Sequence, residues 1–156
     1  HSIMANFAKL NQNNIVIEIT KIANEDIVDQ NNVEQESLGI AKCKELFNEP
    51  EATWVQYSIH NNFRGREAVI NGSYDPVNNV FIDIKPSESW ALDADFNWQA
   101  PLPRPPVLDG YKYKWDEATY ASSGNTKGWI AGNLTTNPFS YTDKVFNYTS
   151  ESWEDL

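Results

Sequence analysis

The stretch SWALDADFNW, residues 89–98, places two tryptophans on either side of a short acidic run. It is typical either of an aromatic sugar-binding platform with catalytic carboxylates or of a β-hairpin whose turn contains the aspartates. An Asp at the first turn position accepts a hydrogen bond from a backbone N–H two residues later, and the flanking aromatic residues then become cross-strand neighbours. We therefore predict a hairpin first and a ligand surface second.

The same signature recurs along the chain. In each case an aromatic residue is followed by Asp or Thr, by small or polar residues and by a second aromatic residue. The other stretches are YDPVNNVF (74–81), YKWDEATYASSGNTKGW (113–129) and FNYTSESW (146–153). Because an isolated hairpin is marginal in water, we expect these aromatic side chains to cover one another or a partner chain.

A hairpin is also predicted near the N-terminus, in NFAKLNQNNIVIEITKI (6–22). The segment NQNN supplies residues typical of turns. Ile15, Ile17 and Ile19 recur at every second position, which predicts an apolar face on the second strand.

A helix is predicted in ESLGIAKCKELFN (36–48). Its apolar residues Ile40, Cys43 and Phe47 fall at three- and four-residue spacing. The helix is expected to end near Asn48, and TWVQYSI after it predicts a strand.

The composition changes after Lys85, and APLPRPPVLDG (100–110) contains four prolines, which predicts a stiff extended connector. We place a boundary near residue 86, with a core domain at 4–85 and a proline- and aromatic-rich tail at 86–156 that lacks a helix of its own. The predicted fold class is α+β, mostly β: an antiparallel sheet with one helix, followed by an array of short β-hairpins. Residues 1–3 are interpreted as the remnant of an expression tag, since MANFAKL is typical of a natural start.

Charge and composition limit the partners. The formal net charge of −10 and only twelve Lys and Arg argue against nucleic acid. The sequence contains no apolar run near the roughly 20 residues that span a bilayer, so we expect no membrane insertion. The single cysteine, Cys43, fits a reducing cytoplasm and is expected to be a buried core thiol on the helix.

Catalytic chemistry finds weak support in the sequence. His60 is the only histidine besides His1, and no nucleophile motif accompanies it, so it is expected in a surface loop. The carboxylates Asp93, Asp95, Asp116 and Glu117 lie beside aromatic residues, as glycosidase carboxylates do. Roles in turns and at the surface are favoured, because Asp116 and Glu117 are adjacent and would point to opposite faces of a strand.

Metal, cofactor and anion sites are likewise not expected. DADFN departs from the EF-hand pattern, with Trp98 where that pattern needs Gly, and zinc needs several His or Cys ligands. Arg64 and Arg66 in NNFRGR are predicted to be solvated loop arginines, with anion binding as the alternative.

Several blocks together resemble a known family. They are MANFAKLNQNNIVIEITKIANED, GIAKCKELF, WVQYSIHNNFRG, SYDPVNNVFIDIKPSESWALDADFNWQAPLP and YKWDE, which cover about residues 4–119. They resemble a family of small proteins of marine tailed bacteriophages, including cyanophages, that are described as uncharacterised or virion structural proteins. The segment around residues 74–103 also resembles modules at the ends of phage tail-fibre proteins. The third repeat departs from the family pattern, because YASSGN precedes TKGW, and residues 131–156 carry no matching block.

The resemblance implies a protein of the virion, synthesised in the cytoplasm of the bacterial host, and it supplies no catalytic residues. Our first hypothesis is a non-enzymatic virion structural or tail- or fibre-associated protein that adheres to other virion proteins or to itself as a homo-oligomer. The predicted anchors are aromatic: Trp90, Trp98, Trp115 and Trp129, with Tyr74, Phe81 and Tyr113 beside them.

Two alternatives stay open. A carbohydrate-binding module would recognise host surface glycans through exposed Trp and Tyr, with Asp93, Asn97 or Asp116 binding sugar hydroxyls. A small glycan hydrolase would need two carboxylates about 5–10 Å apart across a cleft.

Overall fold

Antiparallel sheets and one main helix dominate the regular secondary structure, which confirms the predicted α+β, mostly β class. The computed structural model describes residues 4–156, so the interpretation of residues 1–3 as a tag remnant lies outside the described residues. The elements are β1 (Met4–Leu10), β2 (Val16–Ala23), a 3₁₀ turn (Asn24–Asp26), α1 (Glu36–Phe47), β3 (Thr53–Tyr57), β4 (Ser73–Asp75), β5 (Val80–Ile82), β6 (Ala91–Leu92), β7 (Trp98–Gln99), β8 (Tyr111–Trp115), α2 (Glu117–Ser122), β9 (Trp129–Asn133), β10 (Lys144–Asn147) and β11 (Ser152–Asp155).

The chain divides into two compact units. The first comprises the residues up to Lys85 together with Ala94–Asn97, and the second comprises Pro86–Asp93 together with Trp98–Leu156. The assignment of a core domain at 4–85 and a tail at 86–156 stays a prediction.

The first unit is built on a sheet with strand order β2-β1-β3. One of its two buried clusters contains Phe7, Cys43 and Trp54, so helix α1 lies against that face. The other cluster joins Ala8 and Val55 to the strand residue Phe81, on the opposite face. The middle strand is therefore buried on both faces, which is why its residues Phe7 and Ala8 are both fully buried.

Helix α1 follows its predicted bounds closely. It ends at Asn48, whose backbone is left-handed (φ 53°) and whose N–H bonds back to the last turn. Within the helix, a Cβ at Gly39 would lie 2.1 Å from Cζ of Phe7, so the absence of a side chain lets this ring reach the helix backbone.

The predicted apolar face of β2 is wrong. Ile17 and Ile19 are 46% and 41% exposed, whereas Val16 and Ile22 are buried. A register shift explains Ile17 and Val16: Lys9 pairs with Glu18 but Leu10 pairs with Val16, which leaves Ile17 as the extra residue of a bulge. Ile19 lies opposite buried Ala8 on the core face, but it stands on the edge strand of the sheet and stays partly exposed.

The predicted solvated arginines are wrong as well. The Arg64 side chain is only 18% exposed. Its guanidinium donates two hydrogen bonds to the carboxylate of Glu36, at 2.6 and 2.9 Å, and a third to the carbonyl of Gln56. Arg66 is 15% exposed and donates to the carbonyl of Asp95 at 3.0 Å. Glu36, in the first turn of α1, forms a bidentate pair with the guanidinium, which is the geometry that arginine and carboxylate favour. This pair holds the Arg64 loop against the helix.

The hairpin β4–β5 confirms the turn chemistry predicted for YDPVNNVF. Asp75 accepts hydrogen bonds from the backbone N–H groups of Val77 and Asn78 at 2.9 and 3.0 Å. Tyr74 and Phe81 are direct cross-strand partners, with ring centroids 4.9 Å apart.

The second unit contains a four-stranded antiparallel sheet with order β11-β10-β9-β8 and the small hairpin β6–β7. SWALDADFNW forms the predicted hairpin, and the Asp93 carboxylate accepts from the Gln99 amide at 3.0 Å. The expected cross-strand pair of tryptophans is wrong, because Leu92 and not Trp90 lies opposite Trp98. FNYTSESW likewise forms β10–β11, with Phe146 opposite Trp153.

Helix α2 corrects the expectation that the tail has no helix. Asp116 caps it by accepting from the Thr119 N–H at 3.0 Å, so the residue predicted to start a turn starts a helix instead. The Asp116 N–H bonds to the carbonyl of Gly128 at 2.7 Å, which lets β8 and β9 pair across the inserted helix.

Candidate functional site

Aromatic residues collect on one face of the sheet in the second unit. In β8 the sequence YKYKW alternates ring and lysine, and residues directly opposite one another share a face. Trp115 pairs with Trp129, and Tyr113 pairs with Ala131, which in turn pairs with Lys144 of β10. The register therefore places these side chains on a single surface, here called the aromatic face: Tyr113, Trp115, Trp129, Phe146 and Trp153.

Trp129 is the centre of this face. Its ring lies 5.3 Å from Trp115 and 5.5 Å from Tyr113, at 75° and 86° between planes. Trp90, from the stem of the small hairpin, adds a third edge-to-face contact at 6.2 Å. Edge-to-face geometry is the favourable arrangement for aromatic quadrupoles, and it makes these rings a packed cluster.

A proline-rich segment, residues 100–106 (APLPRPP), contacts the aromatic face through hydrogen bonds. The indole N–H of Trp129 donates to the carbonyl of Leu102 at 3.1 Å, and that of Trp153 donates to the carbonyl of Pro106 at 3.0 Å. The Tyr148 hydroxyl donates to the carbonyl of Pro103. This segment, called the proline segment below, is held by aromatic donors.

A charged group supports the same contact. The guanidinium of Arg104 lies 5.1 Å from the ring centroid of Trp129, within the range of a cation–π interaction. Burial, with a smaller contribution from neighbouring Tyr113, raises the pKa of Tyr148 to about 12. The Tyr148 phenol is therefore a protonated donor across the neutral and mildly alkaline range.

Glu117 connects the small hairpin to the aromatic face. Its carboxylate accepts from the Ser89 N–H at 3.0 Å, from the Ser89 hydroxyl at 2.7 Å and from the Trp115 indole at 2.8 Å. Next to it, the Trp90 indole N–H is buried and finds no hydrogen-bond partner among the described residues. The indole ring of Trp90 is thus held by packing alone, unlike the rings of Trp115, Trp129 and Trp153.

The predicted anchors fall into separate groups. Tyr74 and Phe81 lie in the first unit, whereas Trp90, Tyr113, Trp115 and Trp129 meet in the second. Phe81 and Trp129 are 1% and 2% exposed, so neither can touch a partner unless its cluster opens. The remaining predicted anchors, including Trp98, are half-buried. Their role in binding stays a prediction.

Sequence reasoning missed part of this site. The sequence pattern identifies Phe146, Tyr148 and Trp153 only as members of a hairpin, and the proline segment only as a connector. Composition is the signal that indicates this contact. One segment carries aromatic rings with N–H or O–H donors, and the other is a run of prolines, which offer carbonyl acceptors and lack backbone N–H groups.

The remaining candidates have local structural partners. Asp116 caps α2 and Asp93 binds the Gln99 amide, as described above.

His60 lies in the turn after β3 and lines a cavity of about 270 Å³ with Asn6, Gln56 and Ser58. Cys43 is fully buried, as predicted, and burial raises its pKa to about 11. Within residues 4–156, no cluster of three or more His, Cys, Asp or Glu is arranged to hold a metal.

Comparison with known proteins gives no relative for this chain: no family model, no curated protein and no solved structure matches it. Among the described residues, none of the helices has the length and apolar character that crossing a membrane requires.

Proposed function

We propose that this chain is a non-enzymatic virion structural or tail- or fibre-associated protein of a marine tailed phage, which acts by protein–protein adhesion. The single observation that carries the adhesive role is that aromatic donors on one sheet face bind the carbonyls of a proline-rich segment. The particle setting rests on the sequence resemblance of residues 4–119, and the host cytoplasm would be the place of synthesis.

The ring geometry supports protein binding over glycan binding. A sugar platform needs exposed rings that present their flat faces to solvent, whereas Trp115 and Trp129 stand edge-to-face at 75°. The indole N–H groups of Trp129 and Trp153 are engaged by peptide carbonyls. A surface of this kind favours a peptide ligand over a carbohydrate.

The contacts of the carboxylates support a non-enzymatic role. Asp116 is bound to the first turn of α2, and Glu117 accepts hydrogen bonds from Ser89 and Trp115. A glycosidase pair needs one carboxylate that protonates a leaving group and another that attacks or activates water. Asp116 and Glu117 instead stabilise a helix start and a hairpin stem.

Mass spectrometry of purified particles of the phage that encodes this chain tests the proposal. We expect the chain at a fixed copy number relative to the major capsid protein, in particles purified through two density gradients. An abundant cytoplasmic host protein serves as the control for carry-over. The proposal would be refuted if the amount of the chain per particle fell during purification by the same factor as the amount of the control protein.

A further inference from the structure

We infer that the aromatic face is a receptor for proline-rich extended segments, that the chain's own proline segment occupies it, and that a proline-rich segment of a partner virion protein exchanges with it. This inference rests on the proposed function and names the chemistry of the partner.

The donors and acceptors of the contact are complementary in kind. Proline has no backbone N–H, so a proline-rich segment offers mainly carbonyl acceptors, and the indole and phenol groups of Trp129, Tyr148 and Trp153 are the donors here. The carbonyls of Pro103 and Pro106 are three residues apart, which is one turn of a polyproline II helix. The face therefore recognises a feature that any similar proline-rich segment shares.

The proline segment is stiff before it binds. Every residue from 100 to 106 is either a proline or the residue before one. Both positions are restricted towards extended backbone, so little conformational entropy is lost on docking. The same restriction would favour a partner segment of similar composition over a flexible one.

The proline segment is also lightly held. Pro105 is buried, but Pro101, Pro103 and Pro106 are exposed. In the described chain, no backbone group of residues 100–106 bonds to another backbone group. Release therefore requires three side-chain hydrogen bonds, the Arg104 contact and the burial of one proline to be given up, without breaking a strand ladder.

The tether sets the condition for exchange. A segment joined to its own receptor has an effective concentration on the order of millimolar. A free peptide of the same sequence competes poorly with it, whereas a partner that adds contacts elsewhere can displace it. Loosening the proline segment should therefore reveal binding that the intact chain hides.

The test uses the full chain with Pro105→Gly and Pro106→Gly, called the loosened variant. The probe is a fluorescein-labelled peptide QAPLPRPPVL, which repeats residues 99–108, and the control peptide QASLSRSSVL has serine at the four prolines. Fluorescence anisotropy should show the probe binding the loosened variant at least about tenfold more tightly than the intact chain. The control peptide should not bind.

Matched substitutions locate the site. In the loosened variant, Trp153→Phe removes one indole donor and should weaken probe binding about fivefold to tenfold, the effect of one hydrogen bond. Trp54→Phe removes an indole N–H that is buried without a partner in the first unit, and it should leave binding unchanged. Equal effects of the two substitutions would overturn the assignment.

Two further outcomes would also overturn the assignment. In the first, the loosened variant has a native circular dichroism spectrum but does not bind the probe; in the second, it binds the probe and the control peptide equally. If the loosened variant does not fold, NMR of the intact chain decides. Millimolar probe that carries a nitroxide spin label should broaden the indole N–H signals of Trp129 and Trp153 and not that of Trp54, and unbroadened signals would refute the inference. A dimer dissolved by the probe would make the occupant a second copy and overturn the choice of a separate partner.

The inference and the proposed function can fail separately. If the chain is present in particles but its loosened variant does not bind the probe, the adhesive role stands and the partner is not a proline-rich segment. A chain that binds the probe but is absent from particles loses its virion role.

Discussion

The indole nitrogen of Trp129 donates a hydrogen bond to the carbonyl of Leu102 at 3.1 Å, across 27 residues of sequence. This bond joins the most buried ring of the aromatic face to the proline segment. It distinguishes Trp129 from its neighbour Trp90, whose indole N–H is buried without a partner.

The difference between these two indoles predicts unequal costs of substitution. Trp129→Phe removes a hydrogen-bonded donor and packing atoms, so the free energy of unfolding should fall by about 2–3 kcal/mol. Trp90→Phe removes packing atoms together with an unsatisfied donor, and these effects oppose each other, so its cost should be about half as large or less. Urea unfolding followed by circular dichroism measures both, and a Trp90→Phe cost as large as that of Trp129→Phe would contradict the assignment.

Gly39 should resist replacement although it lies within a helix. Gly39→Ala gains about 1 kcal/mol of helix propensity, but the added Cβ would lie 2.1 Å from Cζ of fully buried Phe7. We expect a net loss of about 1–3 kcal/mol in thermal or urea unfolding, as for other overpacked cores. Phe7→Leu in the Gly39→Ala background should recover part of that loss. A more stable Gly39→Ala chain would show that α1 does not lie against Phe7.

The ion pair between Arg64 and Glu36 should depend on the shape of the guanidinium. Arg64→Lys keeps the charge but loses the bidentate hydrogen bonding to Glu36, so the free energy of unfolding should fall by about 1–2 kcal/mol. The control is Asp155→Asn, which breaks the pair with Lys144; because the Asp155 side chain is 85% exposed, this change should leave the free energy of unfolding nearly unchanged. Equal effects would mean that Arg64 behaves as a surface charge.

Tyr148 predicts a pH dependence tied to the proline segment. Its pKa is raised from 10.0 to about 12, so between these values the folded chain retains a proton that the unfolded chain has lost. The stability it contributes is complete below pH 10 and is lost as the pH rises towards 12. Absorbance at 295 nm, with Tyr148→Phe to assign the step because burial also raises the pKa of Tyr57, should show this late titration. In the Pro105→Gly, Pro106→Gly chain the step should move towards pH 10, and an unmoved step would contradict the contact.

Local chemistry made much of the fold predictable. The hairpin at 74–81 follows from Asp75 and its turn, and helix α1 follows from apolar spacing and from Asn48, which accepts a left-handed backbone. Asp116 shows the limit of this reasoning, because an aspartate suits both a turn and a helix cap. The choice between them depends on the residues that follow, here EATYAS, rather than on the aspartate itself.

Long-range contacts account for the rest. The bulge at Ile17 depends on pairing with β1, and the burial of Arg64 depends on Glu36, 28 residues away. The docking of the proline segment joins Pro106 to Trp153, which are 47 residues apart. Composition identifies the groups in each case, but the fold decides which of them meet.

Site-specific photo-cross-linking in purified particles would show whether the proline segment lies at a contact with another virion protein. Val107 follows the proline segment and is 84% exposed, while Val77, in the β4–β5 turn of the first unit, is 90% exposed and provides a matched control. A photo-reactive phenylalanine analogue is placed at one position or the other. We predict that illumination joins the chain to another virion protein from position 107 and not from position 77. No cross-link from position 107, in particles that contain the chain, would contradict it.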